Sequence, residues 1–211
     1  MKKTLTVLVK MILLLAILIC AICVTLFSYM NLHFPVIKAN QDLNKQAMLP
    51  WSDDRNFVQT GNTCGGHALM AFLYSFRGEK RNPYYLYEKI DEKDKIGYMY
   101  FWGLTRYMQR NGIKGKNYYM NLNSRSEKET WIKGRIAQKI PVILLIKNNK
   151  ALHYITILGY SENEFYIYDS LQRQDQNAEM PGNITEPIPD VFDNWEAARY
   201  KGIKINIATT L

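Results

Sequence analysis

The 211-residue sequence predicts an α+β domain carried behind a single membrane-crossing helix. Three observations predict it: an uncharged apolar run near the N-terminus, helix-like segments in the middle of the chain, and short apolar runs of strand length after Pro141.

The apolar run Met11–Met30 (MILLLAILICAICVTLFSYM) is 20 residues long, enough as a helix to span a hydrocarbon core of about 30 Å. Lys2, Lys3 and Lys10 precede it and no acidic residue occurs before Asp42. The positive-inside bias then keeps residues 1–10 in the cytoplasm and sends the rest outward, a single-pass signal-anchor in the cell membrane. A cleaved signal peptide, which would leave a secreted protein, needs a small-x-small site after a short apolar core, and no clear one follows. Cys20 and Cys23 follow the bulky Ile19 and Ile22, so they read as ordinary membrane-buried residues and not as lipidation sites. Residues 31–56 are polar, broken by Pro35 and Pro50, and read as a spacer. The folded domain is expected over 57–211.

Within it, Thr60-Gly61-Asn62-Thr63 reads as a turn that delivers Cys64 to the start of an apolar helix running through ALMAFLYSF. A second helix is predicted over Tyr98 to Arg110, stopped by Asn111-Gly112. A third is predicted over Ser126 to Gln138, with Ser126 as N-cap and Glu129 completing a capping box. The runs PVILLIK (141–147), LHYITILGY (152–160) and EFYIYDS (164–170) then read as an antiparallel meander. A short helix near Asn194 to Tyr200 and a last strand, GIKINIAT, complete the order.

The formal net charge is +8, and three of those charges belong to Lys2, Lys3 and Lys10. The remaining cations are scattered, which argues against nucleic-acid binding. They suit a surface near anionic lipid or wall polymers.

Cys64 is the only cysteine outside the apolar run, so no intrachain disulfide is expected in the domain. A thiol attacks as the thiolate, and a helix N-terminus favours negative charge. Cys64 has that placement. Its base must be one of three histidines. His33 lies beside the membrane segment, His67 is a local rival one helical turn on, and His153 begins a strand whose hairpin partner carries Asp169. With Gly159 opposite Asn163, His153 falls directly opposite Asp169 on one sheet face. Asp169 would then orient the imidazole, while the Cys64 backbone N–H and the Gln59 side-chain amide would hold an oxyanion. Gly65 and Gly66 are read as room for close substrate approach. No ligand-spaced His or Cys set stands near His67, so no metal is expected, and the chemistry requires no cofactor.

Gln59-TGNT-Cys64-GG-His67-AL, followed by HYITILGY and FYIYDS, resembles the papain-like cysteine peptidases, in particular the C39-like branch related to bacteriocin double-glycine-leader peptidases. The resemblance covers 57–211. It implies a papain-like fold and a peptide or protein substrate, with Cys64 as nucleophile, His153 as base, Asp169 as orienter and Gln59 as oxyanion-hole donor. Two other functions fit the same residues: an amidase or acyltransferase acting on cell-wall amides, and a non-catalytic binding module of the same fold. Asn183-Ile184-Thr185 matches a glycosylation sequon by chance, and the loop 171–190 is expected to border the cleft.

Overall fold

A computed structural model describes residues 2–37, 43–149, 151–172 and 180–211. In chain order the elements are α1 (Lys2–Tyr29), β1 (Leu32–His33), β2 (Ala47–Met48), α2 (Cys64–Arg77), α3 (Pro83–Glu88), α4 (Phe101–Arg110) and β3 (Lys116–Tyr119). They continue as α5 (Arg125–Ala137), β4 (Val142–Asn148), β5 (Ala151–Tyr160), β6 (Glu164–Tyr168), β7 (Ile184–Pro187), α6 (Ile188–Glu196), β8 (Arg199–Tyr200), β9 (Ile203–Lys204) and β10 (Ile207–Thr210). This is the α+β order expected.

α1 stands out from the domain, and over Leu8–Tyr29 it is long and apolar enough to cross a membrane. α2 is buried along nearly its whole length, with Leu69, Met70, Phe72 and Leu73 in the core. It ends at Gly78, whose positive φ of 69° closes the last turn, a conformation that glycine adopts without steric penalty. α3 starts on an Asn82 cap that accepts from the backbone N–H groups of Tyr84 and Tyr85.

Among the described residues the main sheet has the order β1-β3-β10-β4-β5-β6-β7, with β2 added beside β5. α2 packs on β5 and β4, and α6 packs on β4, β6 and β7. Trp195 of α6 is fully buried and donates its indole N–H to the Ile207 carbonyl.

Several expectations are corrected. The stretch 31–56 is not only a spacer: β1 pairs in parallel with β3, β2 pairs with β5, and Leu49 enters the core. α5 is capped by Ser124 and Glu127, two residues before the predicted pair. The last helix begins at Ile188 and not at Asn194, because Pro189 falls in the first turn, where no intrahelical N–H is needed. The final strand is split between β9 and β10.

The hairpin register also differs. β5 pairs with β6 as Tyr160↔Phe165 and Gly159↔Tyr166, then as Ile157↔Ile167 and Thr156↔Tyr168, leaving Leu158 as an extra residue in β5. His153 is therefore not directly opposite Asp169. The bulge nonetheless restores their common face. His153 alternates with Ile157, Asp169 with Ile167, and those two partners are paired across the ladder. Without the extra residue the two would point to opposite faces.

Candidate active site

Cys64 is the first residue of α2, and its side chain is buried. The preceding Thr63 turns back through its hydroxyl to the Thr60 carbonyl at 3.0 Å, which fixes the loop that carries Gln59. His153 and Asp169 are both buried, and the His153 ring Nε2 meets an Asp169 carboxylate oxygen at 2.6 Å. Cys64 and His153 line the same cleft, and the thiol acts on the imidazole across it. With Nε2 engaged by the carboxylate, Nδ1 is the ring nitrogen left for the sulfur. The structure thus brings together the cysteine, histidine and aspartate singled out from sequence.

Burial alone would lower the His153 pKa, but the hydrogen bond to Asp169, the Cys64 thiol and the charges of both partners outweigh it and raise the value to about 9. The imidazolium is the favoured form across neutral pH.

Asp169 is held on every side. The same carboxylate oxygen accepts from the Leu171 backbone N–H at 2.8 Å. Asn183 grips its backbone, accepting from the Asp169 N–H at 2.8 Å and donating to the Asp169 carbonyl at 2.7 Å. Asn183 is 4 % exposed, so the sequon residue is an internal strut that cannot carry a glycan in the folded domain. Sequence reading missed this role.

Gln59 lies beside the same cleft as Cys64 and His153. Its carbonyl oxygen accepts from the Ser170 hydroxyl at 2.6 Å, and its amide donates to the Gly61 carbonyl at 2.8 Å. The first bond fixes which way the amide faces. The second uses one of the two N–H groups of that amide.

His67 is fully buried, and its Nδ1–H donates to the Thr63 carbonyl at 3.0 Å. Its ring stands at 88° to Tyr84 with centroids 5.0 Å apart, and burial lowers its pKa against the Thr63 hydrogen bond. It is a packed neutral histidine. Among the described residues no group of His, Cys, Asp and Glu could hold a metal ion. A Cβ on Gly65 would strike Met99, and one on Gly66 would strike the α3 backbone. Gly66 therefore serves the close packing of α2 on α3, and the space beside Gly65 is filled by Met99, which corrects the expectation that the two glycines make room for substrate. Residues 173–179 of the loop expected to border the cleft lie outside the described residues; Leu171 and Gln172 do line it.

Two clefts meet at Cys64. One, of about 440 Å³, is mixed in character and lined by Gln59, Asn62, Asn148, Asn149 and His153 beside Leu152 and Leu171. The other, of about 660 Å³, is apolar and extends to Phe27 and Met30 at the end of α1.

A model of the Peptidase_C39 like family matches residues 38–203. No curated protein sequence matches the chain. A Bacillus anthracis structure described as a C39-like peptidase superposes with a TM-score of 0.50 at 13% identity, covering 80% of this chain and 98% of that one. The peptidase domain of Streptococcus ComA, a bi-functional ABC transporter, gives a TM-score of 0.43 at 14% identity, covering 77% and 95%. The Carica candamarcensis cysteine protease CMS1MS2 gives 0.43 at 10% identity, covering 69% and 98%.

Proposed function

Since the chain belongs to the Peptidase_C39 like family, we propose that it is a membrane-tethered cysteine peptidase whose domain faces away from the cytoplasm. The tether is the apolar span Leu8–Tyr29, and the catalytic domain is 57–211 together with the two short strands of 31–56. The carrying observation is the buried His153–Asp169 bond of 2.6 Å, in the same cleft as Cys64 at a helix N-terminus.

In this mechanism the Cys64 thiolate attacks a peptide carbonyl, forming the S–C bond and an oxyanion. The Cys64 backbone N–H and the second amide hydrogen of Gln59 donate to that oxygen. The His153 imidazolium gives its proton to the departing amine as the C–N bond breaks, which leaves a thioester on Cys64. His153, now neutral, takes a proton from water as the water attacks the thioester, and the acid product leaves. Asp169 keeps the ring oriented and stabilises its charged form throughout. The reading needs no metal or cofactor.

The test is the pH dependence of Cys64 alkylation in the detergent-solubilised full chain, compared with His153→Ala and Asp169→Ala. An ordinary thiol, with a pKa of about 8.5, labels slowly at pH 6, whereas a thiolate paired with imidazolium labels fast. Fast labelling at pH 6 that collapses in His153→Ala is expected. Slow labelling that ignores both substitutions would replace the enzyme with a binding module of the same fold. Hydrolysis of wall-derived amides with no action on peptides would transfer the triad to the amidase reading.

A further inference from the structure

The apolar cleft has two walls that the catalytic residues do not explain. One is the outer end of the anchor, through Phe27, Met30 and the β1 residue Leu32; the other is the β8–β9 hairpin, through Tyr200, Ile203 and Lys204. Cys64 lies in the same cleft.

The anchor's end is fixed against the domain. The Asn117 side chain donates to the Met30 carbonyl at 2.9 Å, the Asn31 side chain donates to the Gly115 carbonyl at 2.8 Å, and Arg106 sits over the Tyr29 ring at 4.0 Å. From Tyr29 a chain of aromatic contacts runs to the hairpin: Tyr29 to Trp102 at 6.2 Å, Trp102 stacked on Tyr100 at 4.4 Å, and Tyr100 edge-on to Tyr200 at 6.3 Å. Tyr and Trp collect at the headgroup level of a bilayer. Here they mark that level where the apolar helix ends. The hairpin beside them bears Arg199, Lys201 and Lys204, cations suited to anionic headgroups, and it leaves Ile203 67 % exposed.

We propose that this cleft opens sideways to the membrane, and that the substrate is a peptide with an apolar segment seated in the outer leaflet next to the carbonyl that Cys64 attacks. The anchor is then part of the substrate site as well as a tether. A peptide is favoured over a lipid acyl chain because the path continues past Cys64 into the second cleft, where Gln59, Asn62, Asn148 and Asn149 place amide groups along the lining. Beyond the reacting carbonyl a peptide still offers backbone donors and acceptors, whereas a fatty-acyl chain ends at its carbonyl.

The inference rests on the tethered-peptidase reading, and its test separates the two. Full-length protein in phosphatidylglycerol-containing nanodiscs is treated with four thiol probes, and Cys64 labelling is followed by peptide mapping. The probes are bromoacetamide, a bromoacetylglycyl peptide with an apolar tail of about a dozen Leu and Ala residues, its Ser-rich counterpart of equal length, and N-dodecyl bromoacetamide. The apolar peptide should label Cys64 about tenfold faster or more, relative to bromoacetamide, than the Ser-rich peptide does. That ratio, taken within each protein, should fall severalfold in Ile203→Ser and in Phe27→Ser. A ratio indifferent to both substitutions, or equal for the two peptides, overturns the proposal. So does a dodecyl probe that outruns the apolar peptide, which would assign the cleft to an acyl chain. Failure of bromoacetamide itself to label Cys64 at pH 6 would remove the tethered-peptidase reading and this inference with it.

Discussion

Asp169 touches His153 with its carboxylate but owes its place to Asn183, which holds both backbone groups of the residue. Asn183→Ala would leave a buried N–H and a buried carbonyl without partners, a loss of about 1–3 kcal/mol for each. Because Asn183 is a positioning residue, its loss should lower kcat/KM about tenfold, which corresponds to roughly 1.4 kcal/mol. It should also move the alkaline limb of the pH–rate profile. That limb should lie near pH 9 in the native protein, where His153 gives up its proton. The sign follows from the raised pKa: the stability contributed by the charged ring is complete below about 6.5 and is lost as pH rises through the folded-state value. A merely structural Asn183 would reduce stability and leave the limb in place. Cys64, His153, Asp169 and Gln59 could be singled out in the sequence as candidates because their chemistry is rare and their order informative, and the fold gathers them at one cleft. Asn183 could not, since a buried amide that serves another residue's backbone has no local pattern, and its Asn-x-Thr context points elsewhere.

The β5–β6 hairpin delivers two of those residues, and its geometry depends on the extra residue at Leu158. Next to it stands Gly159, where a Cβ would fall 2.6 Å from the Tyr166 ring and 2.9 Å from the Ala47 carbonyl. Gly159→Ala should therefore force β2 away from β5 and cost about 1–3 kcal/mol, read as a lowered urea midpoint at unchanged slope. An unchanged midpoint would show that the edge yields freely. Alternation along each strand revealed which residues belong to the sheet, but a bulge has no periodicity, so the register came out slipped while the shared face did not. The same limit appears in the helices. Two Ser-x-x-Glu frames overlap at 124–129, and only the contacts of the folded helix select Ser124 with Glu127. Pro187 and Pro189 look like breakers until Val191, Phe192 and Trp195 are seen buried on one face of α6.

At the scale of the molecule, one buried side chain links the end of α1 to three parts of the domain. Asn117 donates to the Met30 carbonyl and to the Thr105 hydroxyl, and it accepts from the Thr209 hydroxyl at 2.7 Å. Replacing it with Ala should destabilise the domain by about 2–4 kcal/mol and release hydrogen-exchange protection at Leu32 and His33 ahead of the rest. Protection lost uniformly would mean that the anchor's end is not a separate unit. Two-residue strands such as β1 and β2 are too short to produce a hydrophobic period, which is why residues 31–56 read as a spacer. The order β1-β3-β10-β4 has a further consequence. β10, made after every other strand of this sheet among the described residues, is the strip that joins β1 and β3 to β4 through β7. Until it arrives, the half of the sheet bonded to the anchor and the half bearing His153 remain unjoined. On the proposed function, a nascent chain that has not yet made β10 would be an unassembled enzyme, silent toward its neighbours while its first helix already lies in the bilayer.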